Sequence, residues 1–188
     1  PLADVKMAEA NLALERGEIE EAQELLEVVV EDNSKMSPEA LIALVDAKLG
    51  ANEPISTETA TLVAAYAQEQ RGSELGPELR RVHVLAQSRS NQFDAAFETM
   101  TQLRPRGDSP ESGKLRSQVL GLLTENADDI TFMRLSLHQS PTDISERDDE
   151  IANAMADRLL TLGFPDLAAP LIGKPAAGSA DRTRRVLL

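Results

Sequence analysis

Apolar residues return every three or four positions along most of this 188-residue chain, the spacing that gathers them on one face of an α-helix. Ala3, Met7, Ala10 and Leu14 form the first such stripe. Gly17 breaks it, and Ile19, Ala22, Leu25, Leu26, Val29 and Val30 form the second. These two stripes predict a helical hairpin from Leu2 to Asp32, with Asn33–Met36 as its connector. A second pair is predicted from Ser37-Pro38-Glu39, with Leu41, Leu44, Val45 and Leu49 facing inward. Gly50–Pro54 ends that helix, and Ser56 caps a partner carrying Ala60, Val63, Ala64 and Ala67. The third pair opens at Gly76-Pro77-Glu78 with Leu79, Val82, Leu85 and Ala86, then turns at Asn91 into Phe93, Ala96, Phe97 and Met100. After the stop signal Arg104–Asp108, a fourth pair opens at Ser109-Pro110-Glu111. Its second helix, around Ile130, Met133, Leu135 and Leu137, reads as short. A fifth is expected from near Ser145, using Ile151, Ala154, Met155, Leu159 and Leu160, turning at Gly163 into Leu167, Ala168, Leu171 and Ile172.

The starts of these pairs recur. Pro1, Pro38, Pro77 and Pro110 are 37, 39 and 33 residues apart, and Glu follows the last three directly. Proline suits the first helical turn, where the amide hydrogen it lacks has no intrahelical partner. A Ser before it is expected to cap the free amides, and an early Glu complements the positive end of the helix dipole. The ladder continues at Ser145-Glu146 and at Ser179-Ala180-Asp181. One two-helix unit repeated at this interval predicts a stacked solenoid. The fold class expected is therefore all-α, a right-handed α-α superhelix of about five hairpins over residues 1–173. Residues 174–188 would be a linker and the start of a truncated further helix.

Composition supports helices and narrows function. Apolar residues make up 41% of the chain, while aromatics are limited to four Phe and one Tyr, which disfavours a sheet. The net charge of −13 argues against nonspecific nucleic-acid binding and against docking on an anionic membrane. No apolar run approaches the length of a membrane span. Without cysteine there is no disulfide, thiolate metal site or thiol nucleophile. The sequence places the chain in no compartment. Its opening on Pro and its closing on a fresh helix start suggest a segment of a longer protein or a processed form.

Catalytic constellations are thin. There is no Gly-rich phosphate loop, no His-Glu-x-x-His and no nucleophile elbow. His83 and His138 are the only histidines; the first reads as a partly buried helix residue and the second as a helix-end residue. Asp143, Glu146, Asp148, Asp149 and Glu150 lack the alternating ligands and central Gly of a calcium loop, and capping accounts for acids at a helix start. No cofactor, metal or catalytic residue is expected.

Ala10, Gly17, Ala22 and Leu26 in the first hairpin, Asn91, Phe93, Ala96 and Met100 in the third, and Ala156, Gly163, Ala168 and Ile172 in the fifth share a turn residue, an Ala five positions on and a larger apolar residue four beyond that. In this pattern the chain resembles the tetratricopeptide repeat family of helical-hairpin solenoids. Small residues stand where two helices cross closely, and Gly or Asn tolerates the left-handed turn. The second and fourth units match only as helix pairs. The resemblance implies a protein–protein or peptide interaction module whose groove is lined by the first helix of each hairpin. Carried onto this sequence, Asn11, Glu15, Arg81, Leu85, Ser88, Arg89 and Arg158 are the groove candidates. The guanidinium groups of Arg81, Arg89 and Arg158 would suit acidic side chains or a peptide carboxylate. The rival expectations are a spacer or self-associating segment of a larger protein, with contacts through the solenoid ends, and, more remotely, an α-helical enzyme.

Overall fold

The computed structural model describes residues 2–103, 110–139, 141, 144 and 148–172. Among these the chain is all-helical. It has ten helices: α1 (Leu2–Arg16), α2 (Ile19–Glu31), α3 (Ser37–Gly50), α4 (Thr57–Glu69), α5 (Gly76–Arg89), α6 (Phe93–Gln102), α7 (Pro110–Asn126), α8 (Asp129–Ser136), α9 (Asp149–Thr161) and α10 (Pro165–Ile172). Packing groups them into two compact units, Pro1–Leu103 and Arg104–Leu188. The expected stop at Arg104–Asp108, the Ser145-Glu146 start and the stretch 173–188 lie outside the described residues.

Within the first unit, successive helices pack on one another, and α3 also packs on α5. One cluster joins Ala10 of α1 to Leu26 and Val29 of α2 and to Ala40 and Leu44 of α3. The next joins Leu41 and Val45 of α3 to Ala60 and Val63 of α4 and to Val82 and Ala86 of α5. The apolar stripes thus interleave, and α3 shows one side to each cluster. In the second unit α9 packs on both α7 and α10.

Four hairpins turn in the same way. Gly17, Asn52, Asn91 and Gly163 hold φ of 76°, 59°, 61° and 86°, the left-handed conformation that ends a helix. At each, the next amide reaches back five residues: Glu18 to the Ala13 carbonyl, Glu53 to Lys48, Gln92 to Gln87 and Phe164 to Leu159, all at 2.8–2.9 Å. In the first, third and fifth hairpins the second helix starts two residues after the turn residue. In the second, α4 starts five after Asn52, and Ile55 is buried in the added stretch. Each of these second helices then buries an Ala, the small residue expected near a helix crossing. Ala22, Ala60, Ala96 and Ala168 are all at most 3% exposed. The second pair therefore follows the shared plan with three residues inserted.

The fourth pair does not. No left-handed residue ends α7; instead Asp128 caps α8, its carboxylate accepting from the amides of Ile130 and Thr131 at 3.0 Å. Its buried side chains are Phe132 and Leu135, while Ile130 and Leu137 are exposed, contrary to the stripe expected there. Ala154 of α9 likewise points outward.

The helix starts also need correction. Ser37 does not cap α3: it lies inside the first turn, buried, with its hydroxyl donating to the Val29 carbonyl of α2 at 3.1 Å. Neither α3 nor α5 has a side-chain cap. Both grow from a turn in which an amide, Ser37 or Gly76, donates to the carbonyl of Ser34 or Ser73 at 3.1 Å. The expected Ser56 cap is present, accepting from the Thr59 amide at 3.1 Å. The fifth first helix begins at Asp149, capped by Asp148 through the Ile151 amide.

Candidate functional site

The candidate groove residues divide sharply by exposure. Asn11 and Glu15 are exposed on α1. Arg81 is half-buried on α5, where its Nη2 donates to both oxygens of Asp46 on α3 at 2.8 and 2.6 Å. Its Nε donates to Glu78 at 2.7 Å. Burial works to lower the Arg81 pKa, but the hydrogen bonds and charges of Asp46 and Glu78 outweigh it and raise the value. One cation thus ties two neighbouring first helices at the surface and is held by two carboxylates.

Leu85, Ser88 and Arg89 follow Arg81 at helical spacing but lie in the interior. The Ser88 hydroxyl donates to the Val84 carbonyl at 2.9 Å. Arg89 is 8% exposed, with its Nε on the Glu53 carbonyl at 2.7 Å and its Nη2 on the Asn52 side chain at 2.7 Å and on the Asn52 carbonyl. It clamps the turn of the preceding hairpin. Arg158, in the second unit, does similar work on the end of α7. Its guanidinium donates to the carbonyls of Thr124 and Ala127 at 2.6 Å and of Leu123 at 3.2 Å. It also reaches Asp129 at 2.9 Å. The carbonyl end of a helix carries partial negative charge, so a cation is favoured there.

His83 on α5 is half-buried, and burial pushes its pKa down, so the imidazole is neutral at pH 7. The unfolded chain then binds a proton more readily than the native one, and stability is lost as pH falls below about 6.5 towards the folded-state pKa. Urea midpoints at pH 7.5 and 5.5 should therefore differ less for His83→Gln than for the parent. An equal difference in both would remove His83 as the cause. His138 is exposed just past the end of α8.

Residues outside the expected set also line open surface. The connector before α3 and the face of α4 enclose a groove of about 640 Å³, lined among others by Asn33, Lys35, Leu62, Tyr66 and Glu69. Tyr66 donates to the Asn33 side chain across it at 2.9 Å. A single Tyr on a second helix carries no sequence signal that would mark this groove.

Comparison with protein-family models, with curated proteins and with solved structures finds no match. Among the described residues this is an all-α protein whose helices pack on their neighbours within each unit. No helix among the described residues is long and apolar enough to cross a membrane.

Proposed function

We propose that this chain is a non-catalytic interaction module of the tetratricopeptide-like kind. A partner segment would lie in the groove lined by the first helices α1, α3 and α5 of the first unit. The observation that carries this reading is the Asp46–Arg81–Glu78 network, a charged group exposed at the seam between two first helices. Asn11 and Glu15, exposed on α1, would extend the polar lining onto that helix. The repeated left-handed turns and buried alanines support the family resemblance, because they suit the close helix approach that such repeats need.

Two carboxylates already hold Arg81, so an acidic ligand would have to displace one of them. A partner bearing amide or basic groups could instead bridge Asp46 and Glu78, whose side chains are 43% and 48% exposed. Screening the 188-residue chain on a peptide array, followed by titration of the peptides found, tests the reading. Arg81→Ala and Asp46→Asn are expected to change affinity about tenfold in opposite directions, because one removes the cation and the other a carboxylate of the same site. The sign tells a basic partner from an acidic one. Helix content should be unchanged, because exposed pairs add little to stability. Peptides whose affinity ignores both substitutions would refute the groove.

A further inference from the structure

We propose that a second face of the first hairpin docks a lysine- or arginine-rich amphipathic helix of a partner protein. Leu2, Val5 and Leu12 on α1 are 66%, 54% and 50% exposed, and successive positions about 100° apart bring all three onto one stripe. The buried Ala10 lies about a third of the circumference from the middle of this stripe, and the buried Ala13 borders it on the Leu2 side, so Val5 and Leu12 stand clear of the hairpin's own core. Its middle lies about a third of a helix circumference from Asn11, while Glu15 borders it about 60° from Leu12, so it is a neighbouring face of α1 distinct from the Arg81 seam. At one end the stripe meets α2, where Val28 is 44% exposed, and the two helices leave a depression of about 250 Å³ between Leu2, Lys6, Val28, Glu31 and Asp32.

Charge selects the occupant. From Leu2 to Asp32 the sequence holds ten Asp and Glu against two cations, Lys6 and Arg16. Glu9 stands on the stripe itself, and Glu24, Glu31 and Asp32 are exposed on α2. An apolar strip rimmed by carboxylates matches a helix with an apolar face flanked by cations, the helix-in-groove mode of recognition. Such a rim repels an acidic helix, an anionic membrane and the same hairpin of a second copy.

The probe is a fluorescent amphipathic peptide of roughly five turns, with Leu on one face and Lys on the other, titrated against the 188-residue chain. Two control peptides replace Lys by Glu, or Leu by Ser. The Leu/Lys peptide should bind, and the Leu/Glu peptide should not. The Ser/Lys peptide should bind at least about tenfold more weakly, since the apolar contacts form the core of the interface. Val5→Asn/Leu12→Asn should weaken Leu/Lys binding by a similar factor, and Leu2→Asn/Val28→Asn provides a second, independent pair. Circular dichroism checks that both variants fold. Raising salt from about 50 to 300 mM should weaken binding several-fold. Arg81→Ala should leave it unchanged, so failure here and failure of the groove reading are separable. Equal affinity for the Ser/Lys peptide, or indifference to both double substitutions, would overturn the proposal. So would sedimentation showing a concentration-dependent dimer that these substitutions dissolve, because the occupant would then be a second copy.

Discussion

Arg158→Ala is expected to destabilise the second unit by about 3–4 kcal/mol, a larger loss than removing a surface ion pair would give. The reason is the end of α7. Where other first helices close with a left-handed residue, α7 has none, and the guanidinium of Arg158 satisfies the carbonyls of Thr124 and Ala127 instead and adds a bond to that of Leu123, which also accepts from the Ala127 amide. Its side chain is only 18% exposed and lies 4.3 Å above the Phe132 ring, itself buried. Substitution with Ala therefore strands acceptors and removes a cation–π contact together. The Asp129 contact adds little, because that carboxylate is 67% exposed; Asp129→Ala should cost less than about 1 kcal/mol. Arg158→Lys should recover less than half of the loss, because one ammonium cannot serve acceptors spread across two guanidinium nitrogens. Urea unfolding gives the magnitudes, and faster amide exchange in α7 would locate the effect. An Arg158→Ala protein within 1 kcal/mol of the parent would refute the capping role.

The turn residues were legible because their chemistry is local. Gly17, Asn91 and Gly163 stand where only a residue tolerant of positive φ ends a helix cheaply, and the structure puts each there. Asn52 belongs to the same set. The insertion after it displaces Ala60 from the expected spacing, which is why the second pair matched poorly as a motif. The buried alanines were legible for the same local reason.

Destinations of long side chains were not. A three- and four-residue spacing correctly puts Arg81, Leu85, Ser88 and Arg89 on related faces of α5. It carries no information about which part of that face a neighbour covers. The acceptors of Arg89 and Arg158 lie some 29 to 37 residues earlier in the chain, set by how one hairpin stacks on the previous one. Ser37 illustrates the opposite error. A Ser before Pro reads as a cap, yet the helix starts one residue early, and the hydroxyl turns inward to Val29. Val5 and Leu12 fell outside the first inward stripe, and the structure leaves both exposed, which makes them the observation behind the second docking face.

Gly76→Ala should destabilise the first unit by about 2–3 kcal/mol, as overpacking against a fixed neighbour does. Helix propensity alone gives the opposite sign, since Ala is favoured over Gly by roughly 1 kcal/mol within a helix. Packing decides. A Cβ at Gly76 would stand 2.6 Å from the Gln70 carbonyl oxygen and 3.0 Å from that of Arg71, both backbone atoms. These oxygens cannot swing aside freely. The Gln70 carbonyl accepts from the Ser73 amide at 3.0 Å and from the Ser73 hydroxyl at 2.9 Å, and the Arg71 carbonyl accepts from Arg80 at 3.2 Å. Relief would require the connector before α5 to move, together with the Gly76 amide bond to Ser73 that starts the helix. Gly50→Ala is the matched control: at the end of α3 an added Cβ meets nothing within 4 Å. That substitution should be neutral or stabilise by up to about 1 kcal/mol. Thermal and urea unfolding of the two variants should thus move in opposite directions. If Gly76→Ala matched Gly50→Ala, the close approach of connector and helix start would have no energetic weight, and the shared Ser34 and Ser73 turns would not fix where each repeat begins.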